Sequence, residues 1–234
     1  MGLEPKGDAA KEETPLRILK VASYNIALVE EDNLFDTCIY LINQSEADVI
    51  ALQGVSYQTF TPVCRAFKSN GYDYFKPDQV PDRKDTELLF SKLPILKKMY
   101  RRFVQSTQNR GILAYQVQVG ASPPATVWVC TSQLEAGGSG NGPRKLQLQE
   151  IPKIFAKEHT VAFIGDTNFP AWQTMVLPVD WRDAWREKGS VDTEKTSQDD
   201  RKDRVLYTSD LRCTHFDLVC KSEQRRGVVA WFVC

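Results

Sequence analysis

"TVAFIGDTNF", residues 160–169, is an apolar run that ends in Gly-Asp-Thr-Asn. Val161 to Ile164 read as a strand buried on both faces, since no polar residue alternates with them. Asp166 and Asn168 follow two residues apart. On an extended chain that spacing puts both side chains on one side. A buried strand that delivers an acid and an amide to its own end is well placed to build the wall of a pocket.

Other apolar runs end in the same way. "LRILKVASYNI" (16–26) is a strand that reaches Asn25, and "ADVIALQGV" (47–55) one that reaches Gln53 and then Gly54. "TVWVCTSQL" (126–134) ends on Gln133, with Glu135 beyond it. "RVLYTSD" (204–210) begins just after Asp203. Further strands are predicted at 86–95, 111–119, 215–221 and 227–234. Helical spacing is predicted over 31–46, over 58–71 with Gly71 as C-cap, over 144–158 with Pro152 as a kink, and over 179–189. Residues 137–143 and 194–203 read as loops, and 1–15 as a disordered tail.

Helices do not follow nearly every strand, so a purely parallel βαβ sheet does not fit. The expected class is α/β: a four-layer α/β-sandwich of two mixed β-sheets flanked by helices, formed by residues 16–234 as a single domain. The 234 residues, 42% of them hydrophobic, suffice for one such core.

Thirty basic residues balance thirty acidic ones, so overall charge selects neither a nucleic acid nor a membrane as partner. No apolar run reaches the roughly 20 residues of a membrane span. The six cysteines form no CxxC pair, which excludes zinc-type spacing and suits reduced thiols in a nuclear or cytoplasmic protein. The basic runs "LKKMYRR" (96–102) and "DDRKDR" (199–204) read as solvated faces. Trp172, Trp181 and Trp185 lie close together in the chain; at least two are expected to pack in the core.

The ordered set of motifs resembles the endonuclease/exonuclease/phosphatase superfamily with its DNase I-like fold, and most closely tyrosyl-DNA phosphodiesterases of the second type. "LKVASYNI" is similar to the first motif, a strand ending in an active-site Asn. "DVIALQGV" resembles apolar-apolar-Leu-Gln-Glu-Val, and "VCTSQLEAG" resembles the Thr-Ser-His-Leu-Glu segment. "R…QLQEI" is similar to the next helix, "GDTN" to that subfamily's own Gly-Asp-Thr-Asn, and "KDRVLY" to the Asp-Arg-Ile strand. "SEQRRGVVAWF" stands in the place of Ser-Asp-His-x-Gly-Leu. The resemblance covers residues 16–234. It implies metal-assisted phosphodiester hydrolysis, in which the Glu after Gln holds Mg²⁺, the Asp of GDTN orients water and two histidines stabilise phosphate.

Carried over residue by residue, Asn25, Asp166, Asn168 and Asp203 are retained. Gly54 stands where the metal carboxylate belongs. Gln133 replaces the segment His. The final Asp-His falls on Gln224 and Arg225, or on Glu223 and Gln224 if aligned from Ser222. His159 and His215 match no motif position. With these losses the resemblance implies a pseudoenzyme with no cofactor. It would use Arg225 and Arg226 for phosphate, and a nucleic acid, another phosphate-bearing ligand or a protein as partner. Two alternatives stand beside this. One is a divergent, active Mg²⁺-dependent phosphodiesterase in which Asp48, Glu135 or Glu223 supplies the missing carboxylate. The other is an interaction scaffold. A monomer is expected in each case.

Overall fold

The computed structural model describes residues 16–75, 84–138, 141–170, 175–188, 195–197, 200–220 and 225–234. The expected N-terminal tail, together with Glu223 and Gln224, lies outside them.

Two six-stranded mixed sheets pack face to face. The first has the order β11 (Arg212–Val219), β12 (Gly227–Val233), β1 (Ile18–Asn25), β2 (Val49–Ser56), β4 (Asp85–Ser91), β3 (Asp73–Tyr74). The second has the order β5 (Ile95–Arg102), β6 (Gly111–Val119), β7 (Ala125–Thr131), β8 (Val161–Asp166), β10 (Asp203–Thr208), β9 (Trp181–Asp183). Helices α1 (Glu31–Ser45) and α2 (Tyr57–Ser69) cover the outer face of the first sheet. Helix α3 (Asn141–Ile154) covers that of the second, and the short α4 (Ala184–Glu187) follows β9.

Strand β8 explains why four layers form. Ala162 and Ile164 enter the cluster between the sheets, with Val21, Ala51, Tyr115, Val205 and Phe232. Val161 and Phe163 point the other way, onto Leu148, Ile151 and Phe155. Both faces of the strand are therefore dry, which accounts for its unbroken apolar run. The same alternation in β2 sends Val49 and Ala51 inward, and Ile50 and Leu52 outward onto Leu34, Leu41 and Phe67.

Several boundaries differ from the sequence reading. The single strand expected over 86–95 is two, β4 and β5, lying in different sheets. The chain crosses between them at Lys92–Pro94, where proline has no N–H to give a ladder. The basic run 96–102 thus belongs to an edge strand, with Lys97, Lys98, Arg101 and Arg102 exposed. The helix expected over 179–189 is the three-residue β9 followed by the single turn of α4, capped by Asp183 through the Trp185 N–H. Helix α3 starts at Asn141, inside the expected loop, and Pro152 stands in its last turn. Trp185 is buried against Phe216, Trp181 packs on the α3 side, and Trp172 lies outside the described residues. All six cysteines are free, five of them buried. No helix among the described residues is long and apolar enough to cross a membrane.

Candidate functional site

Strand register brings the polar strand ends together. β1 and β2 are parallel, with Asn25 beside Gln53 at their C-terminal ends. β8 and β10 are antiparallel, with Asp166 directly opposite Asp203. Gln133 bridges to Asp166 from beyond β7. Residues spread over most of the chain therefore meet at one end of the sandwich.

Two side-chain links cross from sheet to sheet there. Asn25 Nδ2 donates to Asp166 Oδ2 at 2.8 Å. Gln53 Nε2 donates to Thr131 Oγ1 at 3.0 Å and to Ser23 Oγ at 2.9 Å. The Asn168 N–H donates to Asp166 Oδ1 at 2.9 Å, and Asn168 Nδ2 to the Leu134 carbonyl at 2.8 Å. The four residues retained by the resemblance, Asn25, Asp166, Asn168 and Asp203, are all buried at this end.

Arg225 completes the group. Its Nη2 lies 2.6 Å from Asp166 Oδ2 and 3.2 Å from Asp203 Oδ1, with both carboxylates buried. This corrects the expectation that Arg225 presents its guanidinium to a phosphate: two carboxylates hold it inside the fold. Arg226 is half-buried, its N–H donating to the Thr196 carbonyl. Burial opposes ionisation of Asp166, but Arg225 overcomes this and holds the carboxyl below its ordinary range. Asp203 is pushed up to about 7, by burial first; Arg225 pulls it down and Asp166 pushes it further up.

The two acids thus give opposite pH dependence. Asp203, raised, contributes stability that is lost as pH climbs through about 7. Asp166, lowered, contributes stability that is lost as pH falls below its depressed value. Urea unfolding of the wild type and of Asp203→Asn at several pH values should show it. The wild type loses stability relative to the variant between about pH 4 and pH 8. A constant difference across that range would refute the assignment.

Gly54 does more than lack a carboxylate. Its φ is +72°, and the β2–β4 register slips between Leu52 and Val55, a bulge that favours glycine. The chain leaving β1 folds back over it, held by the Ala27 N–H donating to Asn25 Oδ1 at 3.0 Å and by the Ile26 N–H donating to the Gln53 carbonyl at 2.9 Å. A Cβ on residue 54 would lie 2.6 Å from Ala27 Cβ and 2.9 Å from Asn25 Oδ1. Ala27 therefore occupies the space into which a side chain at 54 would have to grow.

Gln133, in the place of the segment His, is fixed by a group that sequence reading missed. Its Oε1 accepts from Arg110 Nη1 at 2.9 Å, and its N–H donates to Glu87 Oε1 at 3.1 Å. Arg110 also pairs with Asp85 at 3.0 Å. Glu87 is a buried carboxylate in the apolar stretch "TELLFS". An acid in such a run was the available signal.

Two of the candidate substitute carboxylates, Glu135 and Asp48, do not reach the site. Glu135 Oε1 accepts from Ser106 Oγ at 2.7 Å and from the N–H groups of Thr107 at 2.6 Å and Gln108 at 2.9 Å. It pins that loop. Asp48 binds the Lys20 N–H at 2.9 Å just before β2, a strand length of about 15 Å from Gln53. Glu223 lies outside the described residues. His159 is exposed before the opening end of β8, and exposed His215 packs on Trp231.

A divalent cation of the kind the resemblance implies does not fit these residues. Position 54 has neither a carboxylate nor room for one. Asp166 is fully engaged by Asn25, Asn168 and Arg225. Among the described residues no three acidic, His or Cys side chains are grouped to hold a metal.

Beside Asn168 lies an open cleft of about 370 Å³. Arg144, Lys202, Asn141 and the Gly137–Gly138 backbone line it. Arg144 is buried, donates to the carbonyls of Asn168 and Gly137, and packs over the Phe169 ring. It ties the start of α3 to the GDTN loop.

No family model matches the chain, and no curated protein matches it in sequence. Solved structures do match. Truncated TDP2 from Caenorhabditis elegans superposes with a TM-score of 0.75 at 18% identity, over 93% of this chain and 98% of that one. TDP2 from D. rerio complexed with single-strand DNA product gives 0.75 at 20% identity, over 93% and 99%. An endonuclease/exonuclease/phosphatase family protein from Bacteroides thetaiotaomicron gives 0.77 at 12% identity, over 94% and 99%. With two mixed sheets between helices, and with the strand order given above, the chain has the endonuclease/exonuclease/phosphatase fold.

Proposed function

We propose that the protein is a pseudoenzyme of this fold, which binds a phosphate-bearing ligand without metal-dependent hydrolysis. The observation that carries this reading is Gly54, a left-handed glycine packed under Ala27 where a metal-binding carboxylate would need both a side chain and space. Hydrolysis of a phosphodiester in this fold calls for a cation to activate water and neutralise charge. Here the acids that remain are neutralised from within.

The cleft beside Asn168 is the place for the ligand. Arg144 and Lys202 make it favourable to an anion, with Asp200 as the opposing charge on its wall. The fold match to D. rerio TDP2 with single-strand DNA product supports a nucleic-acid end as the form of that ligand. Free, mostly buried thiols suit a nuclear or cytoplasmic setting.

The test is turnover of a 5′-phosphotyrosyl oligonucleotide and of plain single-stranded DNA, with and without Mg²⁺. The expected result is no turnover above the level of an Asp166→Ala variant, with salt-sensitive retention of the oligonucleotide by the wild type. Mg²⁺-dependent turnover that Asp166→Ala abolishes would overturn the proposal in favour of a divergent phosphodiesterase. One observation favours that second reading, the convergence of Asn25, Asp166, Asn168 and Asp203.

A further inference from the structure

Strand β5 ends the second sheet, and no described strand pairs along its other side. Such an edge presents a row of backbone N–H and C=O groups that can take another strand. The β5–β6 register slips between Ile95 and Lys97 and is regular from Lys97 to Arg102. These six residues, about 20 Å of chain, are the usable edge. Beyond them Phe103 is buried, and the Val104 N–H donates to Glu150 Oε2 at 3.0 Å, which closes that end. Met99 packs toward α3, and Tyr100 toward the cluster between the sheets. Alternation then puts Lys97 and Arg101 on the α3 face and Lys98 and Arg102 on the opposite face. Lys98 Nζ lies 5.3 Å from the centre of the Phe75 ring, and Arg102 donates to Asn109 Oδ1. All four cations are exposed, and among the described residues none is paired with a carboxylate. In a chain of zero net charge this is a local excess.

We infer that the β5 edge takes an added strand from a partner protein, an extended segment of the pattern acid-acid-apolar-apolar-acid-acid. Backbone hydrogen bonds supply the affinity, and side chains facing β5 select the sequence. Each acid lies opposite a cation on its own face, and the two apolar residues lie opposite Met99 and Tyr100. The edge reads the same in both directions, so the pattern holds for either orientation. A second copy of β5 does not serve, because like charges would face each other along its length. A nucleic-acid backbone fits less well. Each face carries two cations about 13 Å apart rather than a continuous row, and phosphates cannot pair with the outward C=O groups. Charges on an edge also serve to keep it from pairing at all. The two roles differ in whether an acidic strand binds. The inference is independent of the cleft beside Asn168.

The experiment is fluorescence anisotropy of a labelled peptide, Ser-Glu-Glu-Val-Tyr-Glu-Glu-Ser, titrated with the full chain. The expected result is saturable binding that weakens with salt. The same peptide N-methylated at every residue keeps its charge and loses its N–H groups. It should bind about tenfold more weakly or worse. Lys97→Glu/Arg101→Glu and Lys98→Glu/Arg102→Glu should each weaken binding of the unmodified peptide about tenfold, since each turns two attractive cross-strand pairs into repulsive ones. A peptide with lysines in place of the glutamates should prefer these variants to the wild type.

No binding to the wild type overturns the inference. Equal binding of the N-methylated peptide also overturns it, since charge then acts without a strand. Wild-type affinity in both variants does the same. If the peptide stays silent while a single-stranded oligonucleotide is held by the wild type and lost from both variants, β5 is a phosphate surface and the inference falls. The N-methyl comparison uses the wild type alone, so it decides the matter even where a variant does not fold.

Discussion

Gly54→Glu lowers the melting temperature and creates no hydrolysis. The left-handed backbone at residue 54 costs an L-residue about 1–2 kcal/mol. The overlap of its Cβ with Ala27 and Asn25 Oδ1 forces the loop after β1 to move, an overpacking term of about 1–3 kcal/mol. Burying a new carboxylate with no cation beside it adds to the loss. A total near 4 kcal/mol corresponds to a fall of roughly 10 °C for a chain of this size. Gly54→Ala separates the terms, since it keeps the backbone and Cβ costs and drops the charge. Differential scanning calorimetry of the two variants measures both. If Gly54→Glu matches the wild type in stability, the loop over Gly54 is not packed as described. If it hydrolyses phosphotyrosyl DNA, the loss of chemistry rests on one residue alone.

What could be read from the sequence, and what could not, follows from how local the cause was. β8 was legible because burial on both faces leaves an unbroken apolar run, and its end could be placed at Asp166. β5 was not. As an edge strand it carries Lys97, Lys98, Arg101 and Arg102 exposed, which hides the alternation. β9 has three residues, too few for any period. At the site, Asn25, Asp166, Asn168 and Asp203 could be named in advance, since each sits where a buried strand begins or ends. Gly54 was legible as a missing carboxylate but not as a left-handed turn under Ala27, because the fold-back of the β1 exit involves two strands at once. Arg225 could be placed in the motif, yet its direction could not. Beside "SEQR" it reads as a guanidinium open to a phosphate. It is drawn inward by Asp166 and Asp203, which lie 59 and 22 residues away in the chain. Glu87 and Arg110 were missed for the same reason, their partners Gln133 and Asp85 being distant in sequence.

Asp166→Ala destabilises the protein by about 3–5 kcal/mol, the usual result of leaving a buried charge with a missing partner. The carboxylate accepts from Asn25, Asn168 and Arg225, so its loss loosens the link between the sheets, the GDTN turn and the last strand together. Asp203 remains for Arg225, at 3.2 Å, which keeps the loss from being larger. Arg225→Met, by contrast, removes the cation and leaves two acids facing each other, so it should cost a similar amount for the opposite reason. The double variant Asp166→Ala/Arg225→Met has one buried carboxyl, and Asp203, raised by burial, can take up a proton. Its loss of stability should therefore be smaller than the sum of the two single losses by about 2 kcal/mol or more, a coupling of the size seen for contacting groups. Urea unfolding at neutral pH, with all four proteins in one buffer, measures the cycle. Strict additivity would mean that Arg225 and Asp166 do not depend on each other, and the neutralised site would then need another cation to explain it.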